Sequence, residues 1–148
     1  MEIERKYLVT QENIPTDYHS YPSRLIEQAY LCTAPVIRIR RDQDSYYLTY
    51  KGKGLLAREE TNLALTKESF QHLLSKIDGT IIRKRRYEIP YHDRIIELDI
   101  FEGRHAPLIL TEVEFDTVEQ ANSFIPPVWF GEDVTYNEDF SNSFLALH

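Results

Sequence analysis

The chain has 148 residues, of which 42% are hydrophobic and 28% are charged, and its formal net charge is -7. This is the composition of an ordinary globular protein, and it predicts a single domain over residues 1–148 with a substantial core. The negative net charge argues against nucleic acid as a general partner, because a phosphate backbone attracts a net basic surface.

The cysteine count and the hydropathy pattern give expectations about the compartment. Cys32 is the only cysteine, so we expect no internal disulfide and a reducing environment. Charged residues begin at position 2 and no apolar run approaches the length of a membrane span. We therefore expect a cytoplasmic protein with no membrane partner.

The first predicted strand, residues 1–9, places three charged side chains on one face. Side chains alternate between the faces of a strand, so Glu2, Glu4 and Lys6 point to the same side. Two crowded carboxylates repel each other unless a cation lies between them, and Mg²⁺ prefers oxygen ligands. The lysine suits an anion that the metal ion also touches.

Further short segments of period two follow along the chain, each ended by a turn signal such as Gly52 or Gly103. They predict seven more strands, at residues 24–33, 36–42, 45–52, 57–65, 80–90, 94–102 and 107–116. Connections of hairpin length between them predict a mainly antiparallel sheet.

Charge is sorted by strand on the shared polar face. A single alternating strand usually has only a solvated face, but solvated faces tend to mix signs because like charges on adjacent strands repel. Here the pairs two residues apart carry the same sign, which favours one subsite for cations and one for anions. The basic members of the face are Lys6, Arg38, Arg40, Lys51, Arg58, Lys84 and Arg86, and the acidic members are Glu2, Glu4, Glu60, Glu97, Asp99, Glu112 and Glu114.

Three helices are predicted beside the strands. Thr66 caps a helix that Gly79 terminates, and Thr117 with Gln120 resembles a capping box. A short third helix spans residues 137–147. Eight antiparallel strands whose charged face converges on one ligand are best satisfied by a closed β-barrel with the charges inside and the helices packed outside, a mainly β (α+β) fold.

The motifs together resemble the CYTH superfamily, the triphosphate tunnel metalloenzymes, in its short bacterial single-domain form. The segments that carry the resemblance are Glu2-Ile3-Glu4-Arg5-Lys6, Gln28-Ala29-Tyr30-Leu31, Arg38-Ile39-Arg40, Leu48-Thr49-Tyr50-Lys51, Lys84-Arg85-Arg86-Tyr87, Glu97-Leu98-Asp99-Ile100-Phe101, Glu112-Val113-Glu114-Phe115 and Ser141-Asn142-Ser143. The resemblance implies an eight-stranded tunnel that binds a triphosphate through basic side chains and one or two Mg²⁺ or Mn²⁺ ions through carboxylates.

The site residues are predicted from the sorted face and the resemblance together. Tyr30 is the candidate proton acceptor and Lys6 the second catalytic candidate. Asn62 departs from the family pattern, which often has an acidic residue there, and it weakens any metal site that needs that charge. The predicted substrate ligands are Lys6, Arg38, Arg40, Lys51, Arg58, Lys84 and Arg86, and the predicted metal ligands are Glu2, Glu4, Glu60, Asp99, Glu112 and Glu114.

The leading functional prediction is metal-dependent hydrolysis of a phosphoanhydride, with inorganic tripolyphosphate as substrate, because the chain offers many phosphate ligands and no separate constellation for a base or a sugar. Two alternatives stay open. One is a nucleoside or thiamine triphosphatase, or a class IV-type adenylate cyclase. The other is a module that binds polyphosphate or nucleotide without turnover.

Overall fold

A computed structural model describes residues 1–148 and contains nine strands. Period-two alternation, with apolar side chains on one face and polar side chains on the other, accounts for the longer ones. The strands are β1 (Glu2–Leu8), β2 (Ser23–Thr33), β3 (Val36–Asp42), β4 (Ser45–Lys51), β5 (Ala57–Arg58), β6 (Glu60–Ala64), β7 (Asp78–Tyr91), β8 (Arg94–Phe101) and β9 (Ile109–Glu114).

The strands form one antiparallel sheet that curls into a nearly closed barrel. Their order is β5-β1-β9-β8-β7-β2-β3-β4-β6. Only Glu59 separates β5 from β6, and these strands pair with β1 and β4 respectively, so one chain segment joins the two edges of the sheet. The predicted barrel is confirmed, with one difference: the strand expected at residues 57–65 is interrupted at Glu59, which gives nine strands instead of eight.

Apolar side chains pack both on the outside of the barrel and inside one of its ends. Outside, one cluster centres on Ile96 and Leu98, and a second places Phe70 against Ile39. A third cluster, which includes Phe101 and the tail residues after position 132, fills the end where β2 finishes and β3 begins. The polar faces of the strands therefore enclose a cavity, and the apolar side chains of the third cluster partly close it at this end.

The helices are α1 (Lys67–Leu74), α2 (Val118–Asn122) and α3 (Asn142–Leu147). The predicted caps are confirmed, since Thr66 and Thr117 each form a capping box. The predicted third helix is divided into a 3₁₀ turn, Glu138–Phe140, and α3. Each helix falls short of the length and apolar character that crossing a membrane requires.

The prediction that Gly79 terminates α1 is wrong. The helix ends at Leu74, and Gly79 lies in β7 with φ +70°. A Cβ atom at this position would be 2.2 Å from the Ala146 carbonyl oxygen. The glycine is thus required for the close approach of α3 to β7, and its positive φ fits a residue without a side chain.

Candidate active site

A polar cavity of about 350 Å³ lies inside the barrel. Its wall contains only a few hydrophobic side chains and is otherwise charged or polar. All the residues predicted for the site line this cavity except Lys84 and Asp99. The predicted residues on the wall are Glu2, Glu4, Lys6, Tyr30, Arg38, Arg40, Lys51, Arg58, Glu60, Arg86, Glu112 and Glu114.

Three carboxylates form one cluster on adjacent strands. Glu4 on β1 lies opposite Glu114 on β9 in the register, and one oxygen each from Glu2, Glu4 and Glu114 lies within 4.8 Å of the others. Burial, Glu112 and Glu2 together raise the pKa of Glu4 to about 8. The all-oxygen donor set and the repulsion between the carboxylates fit a hard divalent cation such as Mg²⁺ or Mn²⁺.

Glu112 lies apart from this cluster and is paired with cations. It is 3.4 Å from the Lys6 ammonium and 3.0 Å from Arg86 Nη2. Burial acts to raise the pKa of Glu112, but Lys6, Arg86 and other cations outweigh burial and hold that pKa well below its ordinary value. Glu112 is therefore a fixed anion that orients Lys6 and Arg86.

Lys51 connects two of the predicted metal ligands. Its ammonium is 2.9 Å from Glu2 and 3.5 Å from Glu60. Burial acts to raise the pKa of Glu2, yet the ion pair with Lys51 prevails and the pKa is lowered. Glu2 thus loses its proton more readily than Glu4 does.

Two arginines on β3 have only neutral partners. Arg38 donates from Nη2 to the Thr49 hydroxyl at 3.0 Å, and its Nε has no partner. Arg40 donates to Gln28 Oε1 at 2.8 Å and to the Tyr47 hydroxyl at 3.3 Å. Neither guanidinium forms an ion pair with a carboxylate. A buried charge without a counterion is costly, so this part of the wall is suited to an anionic ligand.

Lys84 and Asp99 are fully buried behind the cavity wall. Asp99 accepts from the Lys84 ammonium at 2.7 Å and from Arg86 Nε at 2.7 Å. Burial lowers the pKa of Lys84 to about 8, even though Asp99 opposes that effect. Both Asp99 oxygens accept hydrogen bonds from cations, which is the geometry of an internal ion-pair network.

Tyr30 and Asn62 occupy different places on the wall. The Tyr30 hydroxyl accepts from Gln28 Nε2 at 3.3 Å, and Tyr30 lies opposite Arg38 in the register. Asn62 Oδ1 accepts from the Thr49 hydroxyl at 2.6 Å. The Asn62 oxygen therefore supports the Thr49 contact with Arg38.

Several wall residues lie outside the predicted set. Arg24 and Asp42 continue the inward-facing positions of β2 and β3, and Tyr47 does so on β4, so the same period-two signal could have found them. Glu97, which was predicted on the charged face but not as a ligand, also lines the cavity. The short tail segment Ser141–Ser143 also lines the cavity. No strand periodicity points to the tail, because it reaches the site from α3.

Comparison with known proteins gives matches over most of this chain. The family model described as the CYTH domain matches residues 1–125. An inorganic triphosphatase of Nitrosomonas europaea is 38% identical over an alignment that covers 99% of this chain and 97% of that protein. An inorganic triphosphatase of Acetivibrio thermocellus is 28% identical, with coverage of 98% and 92%.

Solved structures have the same fold. A crystal structure of an inorganic triphosphatase matches with a TM-score of 0.73 and 34% identity, over 100% of this chain and 95% of that one. A Pyrococcus horikoshii protein matches with a TM-score of 0.64 and 20% identity, over 82% of this chain and 84% of the other, which is a likeness of fold alone.

Proposed function

This chain belongs to the CYTH domain family, and on that premise we propose that it is a metal-dependent hydrolase of inorganic tripolyphosphate. The family prediction made from the sequence motifs is confirmed by the match over residues 1–125. Both curated relatives are named inorganic triphosphatases, which supports the same activity in this chain.

One observation carries the proposal: the cavity gathers carboxylates at one place on its wall and arginines without a carboxylate partner at another. The carboxylates of Glu2, Glu4 and Glu114 lie together, whereas Arg38 and Arg40 have no carboxylate partner. A ligand that satisfies both groups is a small polyanion carrying a divalent cation. Tripolyphosphate complexed to such a cation meets this requirement.

Glu2, Glu4 and Glu114 are the residues that would hold the ion, with Mg²⁺ or Mn²⁺ as the candidates. A bound divalent cation would neutralise charge on the phosphate oxygens and lower the pKa of a water molecule. Glu112 and Glu60, which were also predicted as ligands, keep their oxygens near Lys6 and Lys51 and are assigned here to orienting those lysines.

The phosphate oxygens are bound by the basic wall. Arg38 and Arg40 provide planar donors that suit bidentate contact with phosphate, and lysines act as point charges. We assign Asp99 a positioning role, since its two oxygens hold Lys84 and Arg86. Lys84 lies behind the cavity wall and contributes positive charge from there. The proposed phosphate ligands on the wall are Lys6, Arg38, Arg40, Lys51, Arg58 and Arg86.

Hydrolysis of a phosphoanhydride consumes water and needs an acceptor for its proton. Tyr30 is the proposed acceptor: as a phenolate, its oxygen, which lines the cavity and accepts from Gln28, would take the proton from water and become the phenol. Lys6 is positioned by Glu112 and by the Phe140 carbonyl, at 3.3 Å, to stabilise charge on the departing phosphate. Tyr30→Phe should lower kcat more than it raises KM.

A second candidate substrate is a triphosphate ester with an organic group. One specific observation favours it: a larger cavity of about 1030 Å³ adjoins the polar one at Val36 and Arg58. Its wall includes the apolar or aromatic side chains of Tyr50, Leu55 and Phe144. Such a wall offers contact area to a base or a vitamin ring but few groups for specific polar readout.

A substrate panel separates these functions. Purified protein is incubated with tripolyphosphate, ATP or thiamine triphosphate in the presence of Mg²⁺ or Mn²⁺, and the release of phosphate, pyrophosphate and cyclic nucleotide is measured. We expect hydrolysis of tripolyphosphate to phosphate and pyrophosphate to be faster than the reaction of ATP or thiamine triphosphate. Faster turnover of ATP favours the second candidate, and binding without any product favours the non-catalytic module.

A further inference from the structure

Asn142 connects the tail to the basic network of the barrel. Its Oδ1 accepts from the Lys84 ammonium at 3.2 Å, across 58 positions of the chain. The residue also lines the polar cavity, from which Lys84 itself is absent. We infer that Asn142 is a substrate-binding residue whose uncharged amide nitrogen donates a hydrogen bond to a phosphate oxygen, an assignment that rests on the proposed function.

The orientation of the Asn142 amide follows from the chemistry of its partner. An ammonium group only donates hydrogen bonds, so the Asn142 atom that faces Lys84 must be the oxygen. The Nδ2 amino group is then on the other branch of the amide. This amino group donates to no acceptor in the protein, and it is not buried away from solvent. Because Asn142 lines the polar cavity, we place the amino group at the cavity surface.

The tail that carries Asn142 is held firmly against the barrel. The Ala146 carbonyl accepts from the Thr80 hydroxyl at 3.2 Å, and the Leu145 carbonyl lies 2.8 Å from His105 Nε2. The absence of a side chain at Gly79 permits this close approach. Anchoring on both β7 and the loop after β8 fixes the amide before a ligand arrives, which reduces the entropic cost of binding.

An uncharged hydrogen-bond donor at position 142 suits phosphate binding better than a carboxylate would. Lys84 and Arg86 already share the negative charge of Asp99, so a further carboxylate on the wall would compete with phosphate for Arg86, which lines the cavity. An amide satisfies Lys84 through its oxygen and still presents N–H groups to the substrate. Aspartate would satisfy Lys84 equally well but would face phosphate with a second acceptor.

The pair of variants Asn142→Asp and Asn142→Ala separates substrate binding from mere support of Lys84. Binding of tripolyphosphate is measured by calorimetry in EDTA, where metal-dependent turnover stops. We expect about tenfold weaker binding for Asn142→Ala, the scale of one hydrogen bond to a charged acceptor. Asn142→Asp should bind about a hundredfold more weakly or worse, because like charges face each other.

Asn137→Asp is the matched control. Asn137 is exposed on the same tail and caps the 3₁₀ turn through its side chain, a role that aspartate also performs. The control makes the same change of charge and should bind within about twofold of the unmodified protein. Thermal melts of all three variants establish that each is folded.

The relative affinities of Asn142→Asp and Asn142→Ala for tripolyphosphate show whether Asn142 binds the substrate. If Asn142 only supports Lys84, Asn142→Asp keeps that contact and binds better than Asn142→Ala, which would overturn the assignment. Hydrolysis by the unmodified protein with Mg²⁺ or Mn²⁺ is measured separately. Binding in the expected order without hydrolysis contradicts the proposed function alone, whereas hydrolysis with the reversed order contradicts this inference alone.

Discussion

Arg38 donates to Thr49 at 3.0 Å and has no carboxylate partner, although its side chain is buried. Burial, together with Arg40, lowers the pKa of the Arg38 guanidinium. The barrel thus holds a desolvated cation whose counterion is not supplied by the protein. Such a charge costs stability in the ligand-free protein and is repaid when an anion binds.

The first prediction is that Arg38→Met raises the melting temperature of the ligand-free protein and weakens the use of tripolyphosphate. The loss of a charged hydrogen bond of about 1.5–3 kcal/mol corresponds to at least a tenfold fall in kcat/KM. Melting in EDTA and steady-state kinetics measure the two effects.

The control for this prediction is Arg41→Met. Arg41 follows on the same strand but points outward, where its side chain is 43% exposed beside Glu27. This variant should leave both quantities nearly unchanged. Equal kcat/KM values for Arg38→Met and Arg41→Met would show that Arg38 does not bind the substrate.

The second prediction concerns the stability of the metal-free protein as a function of pH. The pKa of Glu4 is about 8 in the folded protein and has an ordinary value of 4.5. The folded state therefore binds the proton more tightly, so the contribution of Glu4 to stability is complete below pH 4.5 and is lost as the pH rises toward 8. Glu97, with a pKa raised to about 7 by burial, adds to the same trend.

Thermal melts in EDTA from pH 5 to pH 8.5 measure this trend. Glu4→Gln should reduce the fall in melting temperature across that range, and Glu59→Gln, at an exposed position outside the cavity, should retain it. A saturating divalent cation should also reduce the fall, because it replaces the proton. A Glu4→Gln slope equal to that of the unmodified protein would refute the assignment.

The third prediction is that Asp99→Ala destabilises the fold by about 3–5 kcal/mol, since it leaves the buried Lys84 and Arg86 without their shared carboxylate. Denaturant unfolding measures the change. Glu102→Ala removes an exposed partner of Arg83 and should cost at most about 1 kcal/mol. Normal stability of Asp99→Ala with a specific loss of metal affinity would instead support the original prediction that Asp99 is a metal ligand.

The fourth prediction concerns the ligand's chemistry. If binding depends on the basic wall, affinity should follow the number of phosphates, so that tripolyphosphate binds at least as well as ATP and pyrophosphate binds worse. ATP and GTP should compete almost equally against tripolyphosphate hydrolysis, because few polar groups are available to read a purine edge. A preference for ATP over GTP and tripolyphosphate of more than about a hundredfold would favour a nucleotide-specific enzyme.

Much of the barrel and its inward face could be predicted because a strand has only two faces. Alternation identified which side Glu4 and Arg38 share, and turn signals gave the strand boundaries to within a few residues. Alternation does not encode depth along the barrel axis. For this reason Lys84 and Asp99, which lie on the expected face, were not distinguished from residues that reach the cavity.

The contribution of the tail was beyond the reach of local patterns. Asn142 meets Lys84 only because α3 folds back across the end of the barrel, and no spacing rule connects two residues that far apart. The same long-range packing explains why the prediction for Gly79 was wrong. A glycine after a helical stripe usually ends the helix, but here it makes room for the tail.

Phosphorus NMR decides whether the protein hydrolyses inorganic tripolyphosphate with the help of a divalent cation. In the presence of Mg²⁺ or Mn²⁺ we expect the tripolyphosphate signals to be replaced by signals of equal amounts of pyrophosphate and phosphate, and we expect EDTA or Glu4→Gln to stop the reaction. Unchanged tripolyphosphate with either metal, or undiminished turnover in EDTA, would contradict this expectation.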